Sequence, residues 1–243
     1  MVNPTNSSHY SYLLKSYDEV GKKTWLEDDF LDSKLINSQN LFTKESLVLG
    51  NPKPKELEVY ALLSGVSFDK EVVNKLVSIQ QEISKVLDNS LHYWVKPLNF
   101  GVEYCVFKWP EENWNKAWYS LINKEVSLIN VLPFKFAIKG VQINPDGCII
   151  ARGYDENRSL FRIREQFKNN LKFLPSRQSN WAHIPMGRIL EPIGVSKFKK
   201  LETLFNILSS EFITEFEINI VKFIHEKRWY MEEKSILMEH YLK

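Results

Sequence analysis

The sequence predicts an α+β protein: two pseudo-symmetric lobes of antiparallel sheet flanked by helices, with a central cleft between them. Three observations carry that expectation. Strand-like and helix-like runs alternate in an order that repeats once along the chain. "QINPDGCII" places an Asn-Pro-Asp-Gly turn between two apolar runs, a strong hairpin signal. The helical runs carry apolar residues at three-to-four spacing, as helices laid on one face of a sheet do.

Residues 1–55 read as an N-terminal arm and linker. They are rich in Asn, Ser, Lys and Asp, show few periodic apolar positions beyond "WLEDDFLDSKLI", and end in the stiff "NPKPK". The ordered domain is expected over 56–243. It opens with the β-rich "ELEVYALLSG", followed by a long amphipathic helix with Asp69 as N-cap and Val72, Val73, Leu76, Ile79, Ile83, Val86 and Leu87 on its apolar face. "FGVEYCVFKW" is a strand and "EENWNKAWYSLINKEV" a helix; the hairpin follows. "RSLFRIREQFKNNL" is a basic amphipathic helix, "WAHIPMGRIL" a strand and "SKFKKLETLFNILSSEF" a helix. "TEFEINIVKFIHEKRWYMEEKSILMEHYLK" closes the chain as strand, turn, strand.

At 243 residues, 44% hydrophobic and 13% aromatic, the chain can bury a substantial core. A net charge of +2 gives no global argument for nucleic-acid binding, so an anion site must come from local clustering. No run approaches the roughly 18 apolar residues of a membrane span. "MVNPTNSSHYSYLLK" lacks the basic and apolar regions of a secretory signal, so a cytoplasmic protein is expected. Cys105 and Cys148 lie in strand-like runs without CxxC spacing and read as reduced core residues. With no metal-ligand spacing, P-loop or dinucleotide fingerprint, no metal or cofactor is expected.

The succession "VYALLSGVSFDKEVVNKLVSIQQEI", "VLPFKFAIKGVQINPDGCIIARGYDE", "SLFRIREQF", "HIPMGRIL" and "INIVKFIHEKRWYMEEKSILMEHYLK" resembles the 2H phosphoesterase superfamily, which includes the LigT-like RNA cyclic phosphodiesterases. The resemblance covers about Leu57 to the C-terminus and rests on element order and local patterns. It implies that each half contributes a strand bearing His-x-Thr or His-x-Ser. Both residues of such a motif project into the cleft, because side chains alternate faces along a strand. One histidine acts as base, the other as acid, and the hydroxyls hold phosphate oxygens.

This chain departs from that pattern. The second motif falls in "HIPMGR", where His183 is kept and Pro185 stands in place of the hydroxyl residue. The first falls in "FGVEYC", where Gly101 takes the histidine position and Glu103 the threonine position. His92, in "SLHYW", replaces the missing histidine only under a shifted alignment. His183 is therefore either a satisfied core residue or the surviving half of a pair; its place in the second half favours the cleft. Glu103 and His183 are the expected catalytic candidates, although a carboxylate beside a phosphate is unfavourable unless protonated or paired.

Ligand contacts are expected from Arg188, whose guanidinium suits an anion, from Gly101 and Pro185, from Arg152, and from Tyr104, one of several aromatics able to stack on a base. Arg162, Arg164, Lys168, Lys172 and Arg177 add a locally basic stretch that also fits a solvated helix face. His225 and Glu226 are placed near a turn without a chemical role. "TWLEDDFLD" either completes the core, folds over the cleft or binds another protein. The implied function is binding of a phosphorylated nucleotide or RNA end, with weak or altered 2′,3′-cyclic-phosphodiesterase-like activity; the alternative is a catalytically inactive protein-interaction module on the same fold.

Overall fold

The computed structural model describes residues 6–243, with side chains from Ser8 onward, so the first five residues of the expected arm lie outside the described residues. The chain runs α1 (Asn6–Thr24), α2 (Asp32–Gln39), α3 (Lys44–Val48), β1 (Glu56–Gly65), α4 (Lys70–Leu87), β2 (His92–Trp94), β3 (Gly101–Lys108), α5 (Trp118–Ser127), β4 (Phe134–Ile143), β5 (Cys148–Tyr154), α6 (Ser159–Asn170), β6 (Ala182–Ile189), α7 (Val195–Leu208), β7 (Phe212–Ile218), β8 (Ile220–Arg228) and β9 (Glu233–Tyr241). Two sheets result, a four-stranded one ordered β3-β1-β8-β9 and a five-stranded one ordered β2-β6-β5-β4-β7. Every strand pair is antiparallel. The α+β class and the two flanked sheets are as the sequence predicts.

The sheets are not each built from one half of the chain. β2 pairs with β6 in the second sheet, while β8 and β9 return to extend the first. The closing segment holds three strands rather than two. A break at Asn219, with no Gly or Pro to announce it, sends β7 to the edge of the second sheet beside β4 and β8 to the first sheet beside β1. The predicted hairpin is present between β4 and β5. Its turn needs Gly147: φ is +79°, and a Cβ there would lie 2.3 Å from the Ile189 carbonyl oxygen.

Apolar spacing on α4 places Val72, Leu76, Ile79, Ile83 and Leu87 in the main core. Gln80 faces the same way, and its amide donates to the carbonyls of Val95 and Met186 at 3.0 and 2.9 Å, fixing α4 against β6. Residues 6–50 form three helices laid mainly on the second sheet. Leu13, Tyr17, Phe30, Leu35 and Phe42 are almost fully buried. Tyr17 Oη donates to Ala182 O at 2.9 Å and Thr24 Oγ1 to Ile143 O at 2.7 Å. Within "TWLEDDFLD", Trp25 and Phe30 pack against Phe198 and the Asp29 carboxylate accepts the amides of Ile193 and Gly194, so that segment completes the core. Among the described residues, no helix is long and apolar enough to cross a membrane.

Candidate functional site

A cavity of about 790 Å³ lies between the sheets. Strand alternation decides what faces it. On β3, Gly101 and Glu103 line the cavity, while Val102 and Tyr104 turn into the core. On β6, His183 and Pro185 line it while Ile184 and Met186 are fully buried behind, and a register shift in the β5–β6 pairing past Pro185 brings Arg188 to the cavity as well. Ala61 and Leu63 of β1 and Ile224 of β8 make an apolar wall on the first sheet. Glu226 of β8 joins that wall, and Trp109, Arg177, Trp229, Tyr230 and Met231 complete the lining, with Asn37 and Leu41 from the N-terminal segment.

Two expected ligand residues are not in the cavity. Tyr104 is 1% exposed, and its hydroxyl is hydrogen bonded to that of Ser64 at 2.8 Å on the core side of β3, one residue out of phase with Glu103. Arg152 stands opposite His183 in the β5–β6 register, so the two share a face, but α1 covers Arg152's part of it. Its guanidinium donates to Gln142 Oε1 at 2.7 Å and Asp18 Oδ1 at 2.8 Å, and is consumed in that packing. His92 lies on β2 with Nδ1 2.6 Å from Ser90 O and does not line the cavity. His225 is not at a turn: it sits within β8 on the face opposite Glu226, stacked on Tyr60 at 4.3 Å.

The polar groups of the cavity differ in how far their charges are balanced. Burial, with Arg164 and Arg188 nearby, lowers the His183 pKa to about 4, and its Nδ1 has no protein partner. The imidazole is neutral at pH 7. Burial raises the Glu103 pKa, opposed by Arg164 and Arg177. Glu226 is pushed up to about 7, by burial first and then by Glu103, against the amides of Met231 and Tyr230 and the Lys234 ammonium. Arg188 donates to Asp146 Oδ2 at 2.9 Å, to the Ser38 hydroxyl and to the Tyr230 hydroxyl, so its charge is already compensated. Arg177 lies over the Trp109 ring at 4.3 Å with its side chain 70% exposed, which leaves a guanidinium at the mouth of the cavity.

Arg164 links the two motif strands from behind. It donates to the carbonyls of Tyr104 at 2.7 Å and of Glu103 and Trp181 at 2.6 Å each, tying β3 to the start of β6. In front of Gly101, Met231 Cε lies 3.5 Å from where a Cβ would be. Ser64 O, at 3.2 Å, and Leu63 Cδ1, at 3.6 Å, crowd the same position. Among the described residues no cluster of three or more His, Cys, Asp or Glu could hold a metal ion.

Sequence reasoning misses Glu226, and Trp229 to Met231 with it. A strand beside β1, which is buried on both faces from Val59 to Gly65, must bury both of its own faces. That signal is usable only once β8 is known to pair with β1.

Two antiparallel sheets meet at the cleft, a LigT-like fold. Solved structures agree. The conserved protein ATU0111 from Agrobacterium tumefaciens str. C58 superposes with a TM-score of 0.58 at 12% identity over 82% of this chain and 89% of that chain. E. coli LigT matches in its complex with ATP (TM-score 0.54, 9% identity, 77% of this chain and 99% of that chain) and in its complex with 3′-AMP (0.52, 8%, 78% and 99%). TT0787 of Thermus thermophilus matches at 0.53 and 13% identity over 76% of this chain and 97% of that chain. No family model matches the chain, and no curated protein matches it in sequence. At these identities the likeness is one of fold.

Proposed function

We propose that the cleft binds a phosphorylated nucleotide or an RNA-end phosphate, and that turnover there is slow and does not use two histidines. The observation that supports this is that Gly101, Glu103, His183 and Pro185 line one cavity, with a glycine rather than a histidine at 101. His183, held neutral at pH 7, can accept a proton but is not the imidazolium that a general acid requires. Loss of one proton-transfer partner typically costs roughly 100- to 10,000-fold in rate.

The lining suits such a ligand. Trp109 and Trp229, with ring centroids 6.4 Å apart, offer faces for a base at the mouth. Arg177 is the guanidinium best placed for a phosphate. E. coli LigT, which shares the fold, has been crystallised with ATP and with 3′-AMP.

The test is titration of the full chain with 3′-AMP, ATP and 2′,3′-cyclic AMP, followed by tryptophan fluorescence, with phosphate-ester hydrolysis assayed in parallel. Saturable binding with Kd below about 1 mM is expected. His183→Ala should abolish the residual turnover, and Arg177→Ala should weaken binding about tenfold, a loss of about 1.4 kcal/mol. No binding at millimolar ligand would remove this reading and leave the protein-interaction alternative.

A further inference from the structure

β9 is the outermost strand of the first sheet, and among the described residues no strand pairs with its free side. Its apolar side chains are open: Ile236 is 45% exposed, Leu237 39% and Tyr241 61%. A nine-residue run of backbone unpaired on one side and carrying such side chains is a template for one more strand.

A bulge decides which strand fits. In the β8–β9 ladder Phe223 stands opposite Met238 and Ile224 opposite Ile236, so Leu237 is an extra residue. It shifts the alternation by one step. Lys234, Ile236 and Glu239 all lie on the cavity face, opposite Glu226, Ile224 and Lys222, while Ser235 and Met238 lie on the reverse. A bulged edge discourages a regular strand. It matches a strand with the same bulge and the opposite order of charge, and β9 is its own match.

We infer that two copies of the chain associate through β9, antiparallel, about a two-fold axis between Ile236 and Leu237. The axis stands perpendicular to the sheet and keeps each face on its own side. Lys234 then lies opposite the partner's Glu239, Ser235 opposite the partner's Met238, and Ile236 opposite the partner's Leu237. Without the bulge, residues 234 and 239 would point to opposite faces and could not be paired in this way. Sliding the register by two residues sets Ile236 against the partner's Glu239, or Lys234 against the partner's Leu237. Lys234 gives ammonium protons to Asn99 Oδ1 at 2.6 Å and Met231 O at 3.1 Å, which leaves its third for the partner. Glu239 has Lys222 3.6 Å away, yet its side chain is 41% exposed. The two first sheets become one continuous sheet, joined by a small interface of the weak, reversible class. The inference is independent of what the cleft binds.

The experiment is sedimentation equilibrium of the full chain at concentrations up to about 500 µM, with thermal unfolding of every variant. A monomer–dimer equilibrium with Kd of about 10–100 µM is expected. Leu237→Asp, at an exposed position, brings two carboxylates together beside the axis and should weaken dimerisation at least about tenfold. Lys234→Glu and Glu239→Lys should each dimerise at least about tenfold more weakly alone, yet associate with each other on mixing, because every 234–239 pair is then of opposite charge. A wild-type chain still monomeric at about 500 µM would overturn the inference. So would wild-type dimerisation by folded Leu237→Asp, or no association between the two charge variants when both are folded. If a charge variant does not fold, Leu237→Asp decides.

Discussion

At Gly101 the chain lacks a side chain, and Met231 Cε reaches to within 3.5 Å of where one would begin. A histidine placed there is crowded from the start, because its Cβ would lie 3.2 Å from Ser64 O and 3.5 Å from Met231 Cε. Gly101→His should destabilise the protein by about 1–3 kcal/mol as an overpacked site. Adding Met231→Ala should recover part of that loss, both read from denaturant unfolding. His9 makes a second prediction at this scale. It is buried edge-on to Phe161 at 4.1 Å, its Nε2 has no protein partner, and burial with Arg158 and Arg164 lowers its pKa to about 4. A folded-state pKa below the unfolded value near 6.5 means the folded state binds fewer protons. Its stability contribution is complete above pH 6.5 and lost as pH falls through 4. His9→Phe should flatten the decline in melting temperature between pH 6.5 and 4. Individual residues are legible where a single strand's alternation decides them: Gly101, Glu103, His183 and Pro185 face one cavity because each pair is two apart. Tyr104 is misplaced by one step of the same alternation. Arg152 does share a face with His183, and nothing in "CIIARGY" says that a helix more than a hundred residues earlier covers it.

The elements divide in the same way. α4 and the β4–β5 hairpin follow from apolar spacing and turn chemistry alone. α1 does not, because its buried positions include Tyr17 and His9, polar-tipped aromatics that blur an apolar stripe. Tyr17 is fully buried, with its hydroxyl bonded to Ala182 O just before His183. Tyr17→Phe should cost about 1 kcal/mol in denaturant unfolding, the usual value for one hydrogen bond, with a further penalty for the unpaired carbonyl. The turn from β8 to β9 is stranger. Tyr230 and Met231 both take left-handed backbone, with φ of 61° and 55°, though neither is glycine. Such strain persists where surroundings over-determine it. Here Arg188 donates to the Tyr230 hydroxyl, Tyr93 Oη donates to Glu232 Oε1 at 2.6 Å and Lys96 Nζ also reaches Glu232. Short-range sequence signals do not report a turn held by contacts from another sheet.

For the molecule as a whole, strand exchange makes each lobe dependent on both halves of the chain. The solved structures sharing the fold are covered almost completely, yet they leave about a fifth of this chain unmatched. Residues 6–50 pack on the second lobe, on the sheet face that also carries His183. Removing residues 1–50 should expose Ile150 and Tyr154 and leave Arg152 without Asp18. A melting temperature at least about 10 °C lower, or an aggregating product, is expected by calorimetry. The turn at Tyr230–Glu232 has a different consequence. It rises from the first sheet and is gripped by Arg188, Tyr93 and Lys96 on the far side, so the two lobes are riveted across their own opening. Jaws fixed in this way do not gape to admit a guest. Ligand should therefore enter a finished socket, and rapid-mixing records of association should show one exponential whose rate climbs linearly with ligand concentration. A plateau would mean that the rivets slip.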